Sequence, residues 1–302
     1  MSDAVISPSA LLTTVLTDDF EPGYLVFLGS LLEHNPWFDL EIRILWHPET
    51  APLSDDVRRR CRMRYPKTTF AEVPSYGPGE VSQAFTAMYE RTGPAWIPAL
   101  NCLYAMSFDD VDRVVALDSD MLVTGDLRAL FTGTADFAAV EAHHRATGPR
   151  GFFNGGLMVF AGDHLGPEAF DRLRRDFELP VDELFRDGPG EQGLVNAYFR
   201  DDVSWLPQKY NVQKRFVPDD TDVEAELRRI DTRILHYVGS KPWQTKPNDS
   251  ERVYRTVEAM WLEALRRYAT PEDEARLLAH PNGALPEPMA LGWPDPPASR
   301  SA

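Results

Sequence analysis

Apolar positions along this chain switch repeatedly between a period of two and a period near three and a half, the periods of strand and helix. Leu11–Thr17 is a short aliphatic and β-branched run and predicts a first strand. After DDFEPG, the stretch Tyr24–His34 predicts a helix, with Pro22 near its start and Leu25, Leu28 and Leu32 on one face. Glu41–His47 predicts a second strand, and Leu53–Tyr65 (LSDDVRRRCRMRY) a helix with Ser54 as candidate N-cap. Thr68–Val73 predicts a third strand, Glu80–Arg91 a helix closed by Gly93, Ala99–Ser107 a further helical segment, and Val114–Leu117 a buried strand.

Farther on, Phe137–Val140 and Gly156–Phe160 predict two short strands, separated by a polar segment, EAHHRATGPRGFFNG, that could cover a site. PEAFDRLRRDF predicts a surface helix, GEQGLVNAYF a helix with Glu191 and Gln192 in its first turn, and ILHYVG a strand ending at His236 and Gly239. Two helices follow, at about Asn248–Tyr268 and Glu272–Ala279, the first with Val253, Val257, Met260, Trp261 and Leu265 on an apolar face. The alternation predicts an α/β fold, a mostly parallel sheet covered by helices on both faces, with ligands at the carboxyl ends of its strands. The 302 residues suit one large domain over 1–247, a helical extension over 248–282 and a disordered tail over 283–302, where five prolines accompany little apolar periodicity.

Composition narrows the function. Acidic residues outnumber basic ones 47 to 31, a formal charge of −16, so the overall field does not favour nucleic acid or anionic membrane, and any anionic ligand needs local positive charge. Apolar content of 43% and charged content of 26% argue for a folded protein. Cys61 and Cys102 supply neither a disulfide framework nor a zinc spacing. The first residues, MSDAVISPSALLTTVL, lack a basic n-region and a long apolar core, and no run of about 20 apolar residues occurs, so the expected location is cytoplasmic without membrane insertion.

The chemistry begins at VVALDSDMLVTGD, residues 114–126, where two carboxylates follow a buried strand. Its ordinary reading is a polar strand exit, since Asp and Ser favour turns. Side chains at i and i+2 of an extended segment point the same way, however, so Asp118 and Asp120 can share one cation while Ser119 points elsewhere. With TTVLTDDFEPGYLVFLGSLLEHN before it, and FFNGGLMVF, GEQGLVNAYF and HYVGSKPW after it, the chain from about Leu11 to Trp243 resembles glycosyltransferase family 8, the glycogenin and bacterial lipopolysaccharide galactosyltransferase group.

The resemblance implies a GT-A fold for residues 1–247, a nucleotide-sugar donor that is usually UDP-linked, Mn2+ or Mg2+, and transfer with retention of configuration. His236 matches the family's third metal ligand beside Asp118 and Asp120, a set of hard oxygens and one imidazole that suits manganese. Thr14, Leu16, Thr17 and Phe20 align with the loop that holds uridine, Phe20 standing where relatives stack an aromatic on the base; Asp118 and Ser119 belong to the donor side as well. Gly239 allows close backbone approach and Lys241 offers a point charge to the diphosphate. Asn154, Gly155, Glu191 and Gln192 fall at the sugar end, and Glu141 near the acceptor. Each has an ordinary counterpart: a packed histidine, a core phenylalanine, a solvated lysine, a helix N-terminal acid.

Two departures stand out. Glu191 replaces the Asp common before that Gln, and Asn101 stands where relatives often carry a base; an unusual donor sugar, a compensating charge such as Lys214 or Arg215, and an alignment shifted by one residue are the three open explanations. No residue offers a clear double-displacement nucleophile, so same-face substitution is the expected mechanism. The alternatives are a nucleotidyltransferase-like enzyme, against which the lack of a Gly-rich basic loop counts, and a catalytically silent sugar-nucleotide-binding protein. From Glu251 onward six Arg and no Lys face eight acids, which disfavours work at a membrane surface and favours a soluble acceptor: a small molecule, natural-product intermediate, peptide or oligosaccharide. A homodimer is an open option.

Overall fold

The computed structural model describes residues 9–74, 97–144, 148–176, 191–217, 221–243 and 254–279. The strands are β1 (Ala10–Val15), β2 (Glu41–Trp46), β3 (Thr68–Glu72), β4 (Arg113–Leu117), β5 (Met121–Val123), β6 (Phe137–His144), β7 (Gly148–Ala161), β8 (Ser204–Leu206), β9 (Val212–Gln213) and β10 (Ile234–His236). The helices are α1 (Glu21–His34), α2 (Asp55–Arg64), α3 (Ile97–Leu100), α4 (Arg128–Thr132), α5 (Pro167–Asp176), α6 (Glu191–Tyr198), α7 (Val223–Ile230), α8 (Arg255–Tyr268) and α9 (Pro271–Ala279). A seven-stranded sheet runs β3-β2-β1-β4-β7-β6-β8, and a three-stranded one runs β5-β10-β9. In the large sheet β7 alone opposes the other strands, being antiparallel to both β4 and β6 while all remaining pairings are parallel.

β4 shows why its sequence is apolar without alternation. Val114 and Ala116 enter one core with Leu103, Phe170 and Leu194, while Val115 and Leu117 enter another with Phe27, Leu31 and Leu130. A strand covered on both faces reads as a continuous apolar run. Helix α1 is likewise buried almost all round: Phe27 and Leu28 face the sheet, and Leu25 and Val26 face Val257, Trp261 and Leu265 of α8. The single apolar face expected from Leu25, Leu28 and Leu32 is therefore only part of the helix surface that packs, because α8 lies on its outer side.

Most elements agree with the hydrophobic pattern, and Ser54 caps α2 by accepting from the Val57 amide at 3.3 Å. α1 starts three residues earlier than expected, after a 3-10 turn at Asp18–Phe20 that also ends β1 early. Ala99–Ser107 resolves into α3 followed by a 3-10 run over Asn101–Ser107. The larger difference is the segment read as polar cover, most of which belongs to the β6–β7 hairpin. Register shifts between Ala139 and Glu141 and again before His143 break the period of two, and Gly148 and Gly151 at φ 70° and 73° hide strand character further. Strands β5, β8 and β9 are two or three residues long and gave no periodic signal. The helix expected over Glu80–Arg91, Val253 and the tail from 283 lie outside the described residues.

Candidate active site

The carboxyl end of β4 leads directly into Asp118, Ser119 and Asp120, and β5 then turns the chain to pair antiparallel with β10, His236 opposite Met121. That pairing carries His236 to the two acids, so that one ligand atom from each of Asp118, Asp120 and His236 lies within 4.8 Å of the others. His236 Nε2 stands 3.4 Å from Asp118 Oδ2 and 3.2 Å from Asp120 Oδ1. Asp120 and His236 are buried, whereas the Asp118 side chain is 48% exposed and forms the open side. Two carboxylates and an imidazole converging at this spacing fit a hard divalent cation such as Mn2+ or Mg2+.

The charges of the cluster act directly on one another. Burial opposes ionisation of Asp120, but the Lys241 ammonium and the His236 ring outweigh it and hold the carboxyl well below the usual range. Burial likewise works against the His236 imidazolium, yet Asp120 and Asp118 push it up to about 9. Lys241 donates to Asp120 Oδ2 and, at 3.1 Å, to the Tyr237 carbonyl, with Nζ 5.6 Å over the Phe20 ring. The turn that returns Lys241 to the acids uses Gly239 at φ 79°, a left-handed conformation that favours glycine.

A hydrogen-bond relay, not foreseen from the sequence, links the Asp118, Asp120 and His236 cluster to Asn154 and Gln192. The Gly156 amide donates to Asn154 Oδ1 at 3.1 Å, which fixes that amide's orientation. Asn211 must then present Nδ2 to the same oxygen, at 3.0 Å, leaving its Oδ1 for His236 Nδ1 at 2.9 Å. Nδ1 therefore carries a proton toward Asn211, and Nε2 faces the acids. In the other direction Asn154 Nδ2 donates to Gln192 Oε1 at 3.1 Å, so the Gln192 NH2 is left as donor at the partly exposed end. Asn196, one turn along α6, holds the Gln192 carbonyl at 2.7 Å and both backbone groups of Phe153. A Cβ on Gly156 would overlap the His236 ring and lie 2.8 Å from Asp118 Oδ2, so this glycine is required by close approach. The FFNGG pair and the four-residue spacing of Gln192 and Asn196 were the available signals; Asn211, in KYNV, had none.

The other sequence-derived residues sort by place. Thr14, Asp118 and Gly155 line one small cavity with Thr13 and Cys102. Phe20 meets Trp243 edge-on at 5.6 Å beside the turn after β1, where Thr17 is half-buried. Leu16 is fully buried in the core, and Ser119 is buried with its carbonyl against Gly23. Glu191 opens α6 next to Gln192, its side chain outside the described set. Glu141 accepts from the Gly151 amide at 2.9 Å and so braces the hairpin. Asn101 is buried and donates to Thr50 Oγ1, while of the two candidate compensating charges Lys214 is buried against Glu258 and Arg215 bonds Gln213. A wider groove of about 660 Å3 lies elsewhere, on α2 and β3, where Arg58 stacks on Trp46.

The comparisons agree with this geometry. The model for glycosyl transferase family 8 matches residues 12–246. The chain is similar to the glycosyltransferase GlyF of Streptococcus pneumoniae serotype 4, 29% identical over 47% of this chain and 36% of that protein. It is also similar to a glycogenin of Cryptococcus neoformans var. grubii, 29% identical over 80% of this chain and 26% of that one. The chain thus spans only about a quarter to a third of the length of these curated relatives. Among solved structures, the galactosyltransferase LgtC in complex with donor and acceptor sugar analogues superposes with a TM-score of 0.61 at 16% identity, covering 88% of this chain and 99% of that one. Apo GlyE of S. pneumoniae gives 0.54 at 22% identity, covering 86% and 63%. At these identities the likeness is one of fold, the GT-A arrangement. With the family model matching over most of its length, the chain belongs to glycosyltransferase family 8.

Proposed function

We propose that this protein is a retaining glycosyltransferase that moves a hexose from a UDP-sugar to a hydroxyl of a soluble acceptor, with residues 1–247 as its catalytic domain and Mn2+ or Mg2+ as cofactor. The observation that carries this reading is the convergence of Asp118, Asp120 and His236 within 4.8 Å at the carboxyl end of β4. Asp118, Asp120 and His236 would hold a divalent cation, which would supply Lewis acidity to a departing diphosphate. Lys241, already turned toward Asp120, adds a point charge on the same side. Phe20 and the turn after β1 take the base, and Thr14, Ser119, Gly155 and Gly239 frame the donor. The Gln192 amide, oriented as a donor by Asn154, and the adjacent Glu191 position the sugar as the anomeric bond breaks. The incoming hydroxyl attacks from the face the diphosphate leaves, giving its proton to a departing phosphate oxygen, which retains configuration.

The test is incubation of the full chain with a panel of UDP-sugars and Mn2+, following UDP release and product anomeric configuration by NMR. Release of UDP that stops in EDTA, with retained configuration, supports the reading. Undiminished turnover in EDTA, or an inverted product, defeats it.

A further inference from the structure

Helix α8 begins at Arg255, beyond the family match, yet it is bonded to the loop that carries Lys241. Lys214 follows β9 and is 1% exposed. Its ammonium donates to the Ser240 carbonyl at 2.6 Å and to Glu258 Oε1 of α8 at 3.1 Å, and lies 5.4 Å over the Tyr254 ring. A buried ammonium is tolerated only where it is paired and fully bonded, so this one charge ties β9, the loop and α8 together. Two further links join the same pieces. The buried Tyr237 hydroxyl donates to the Val257 carbonyl at 2.8 Å, while the Tyr237 amide donates to the Asp120 carbonyl at 3.0 Å. Trp261 packs on Trp243 at 5.1 Å, and Trp243 in turn meets Phe20 and donates to the Asp19 carbonyl at 3.0 Å.

We propose that α8 is a structural wall of the donor site, and that Lys214 and Glu258 are positioning residues that hold the Gly239–Lys241 loop so that Lys241 faces the diphosphate. The inference rests on reading Lys241 as a donor contact. It assigns Lys214 a role other than compensating for Asn101: its charge acts on the backbone of the loop and never meets the donor. It also makes α8 part of the working site rather than an appendage.

The test uses the full chain carrying Lys214→Met, Glu258→Gln or the double change Lys214→Met with Glu258→Met. Three quantities are measured: UDP affinity in Mn2+ by calorimetry, Mn2+ affinity without nucleotide by electron paramagnetic resonance, and hydrogen exchange of the peptide spanning Tyr237–Trp243. Each variant is expected to weaken UDP at least about fivefold, to leave Mn2+ within about twofold and to speed exchange of that peptide. The double variant replaces the ion pair with apolar side chains of similar reach, a change that often preserves folding, and its UDP affinity stays low because Ser240 has still lost its donor. Unchanged exchange with unchanged UDP affinity overturns the proposal. So does full recovery in the double variant, or a loss of Mn2+ equal to that of UDP, which would assign the pair to general folding. Failure of the unmodified protein to bind UDP instead strikes the functional reading, and the exchange measurement still decides the clamp.

Discussion

Replacing Asn211 by Leu removes both relay bonds while nearly keeping volume. Asn211 is 4% exposed, so water does not substitute for what is lost. Asn154 Oδ1 keeps the Gly156 amide, but His236 Nδ1, at 2.9 Å from the missing oxygen, becomes a buried donor without its acceptor. An orphaned buried donor costs about 1 to 3 kcal/mol, and loss of the group that orients a ligating imidazole typically costs 10- to 100-fold in metal affinity. We therefore expect Asn211→Leu to raise the Mn2+ dissociation constant by about 10- to 100-fold, ~1.4 to 2.7 kcal/mol, with a comparable loss of stability. Asn211→Asp separates the two halves of the relay. Its carboxylate still accepts from Nδ1, so Mn2+ binding should stay within about fivefold, but it faces Asn154 Oδ1 as acceptor against acceptor and should lower turnover about tenfold or more. Both are read by electron paramagnetic resonance of free Mn2+ beside steady-state kinetics. Mn2+ affinity within twofold of wild type in the Leu variant would refute the relay.

Asp118→Asn, Asp120→Asn and His236→Ala should each abolish metal-dependent UDP binding in calorimetry; melting curves should single out Asp120→Asn, whose buried carboxylate also bonds Lys241, whereas half-exposed Asp118 melts as wild type. Gly156→Ala should lower Mn2+ affinity at least about tenfold by driving a methyl into His236, and normal binding would show that the strand yields. Asp273, bonded to Arg64, Arg276 and the Thr270 amide and hydroxyl, is buried, which opposes its charge, but the bonds from Arg64 and Thr270 hold its carboxyl well below the usual range. Its contribution is therefore fully present above the ordinary carboxylate pKa of about 4 and fades as pH falls through the folded value. Asp273→Asn should cost about 2 kcal/mol near neutrality, and the gap in melting temperature should narrow below about pH 4; a gap constant with pH would refute the ionic account.

How much was legible depended on the range of the interaction responsible. Elements buried on one or both faces, such as β1, β4 and α2, announced themselves through local periodicity, and Ser54 through its cap. The convergence of Asp118, Asp120 and His236 was readable because i and i+2 acids sit on one extended segment and the HYVGSKPW context flagged His236. Asn211 was not readable, because its meaning arises only when β9 and β10 lie side by side, with Gln213 opposite His236. The hairpin of β6 and β7 was half readable: its inner ends alternate poorly around bulges that a single sequence does not mark. The place of Lys214 was not readable for the same reason as that of Asn211, since its partners Ser240 and Glu258 are distant in the chain.

The three-stranded sheet also sets a timetable for biosynthesis. β5 lies just after the acids, but β9 and β10, which complete it, are made much later, and Lys241 follows Asp120 by 121 positions. At about 5 to 20 residues per second, the two acids wait some 6 to 24 s on a ribosome before the histidine and lysine that balance them are available. During that interval β1, β2 and β4 can already pair while two carboxylates remain without counter-charge at the sheet edge. The two acids are thus made before the residues that balance them, and a chain terminated ahead of β9 would carry Asp118 and Asp120 without His236 and Lys241.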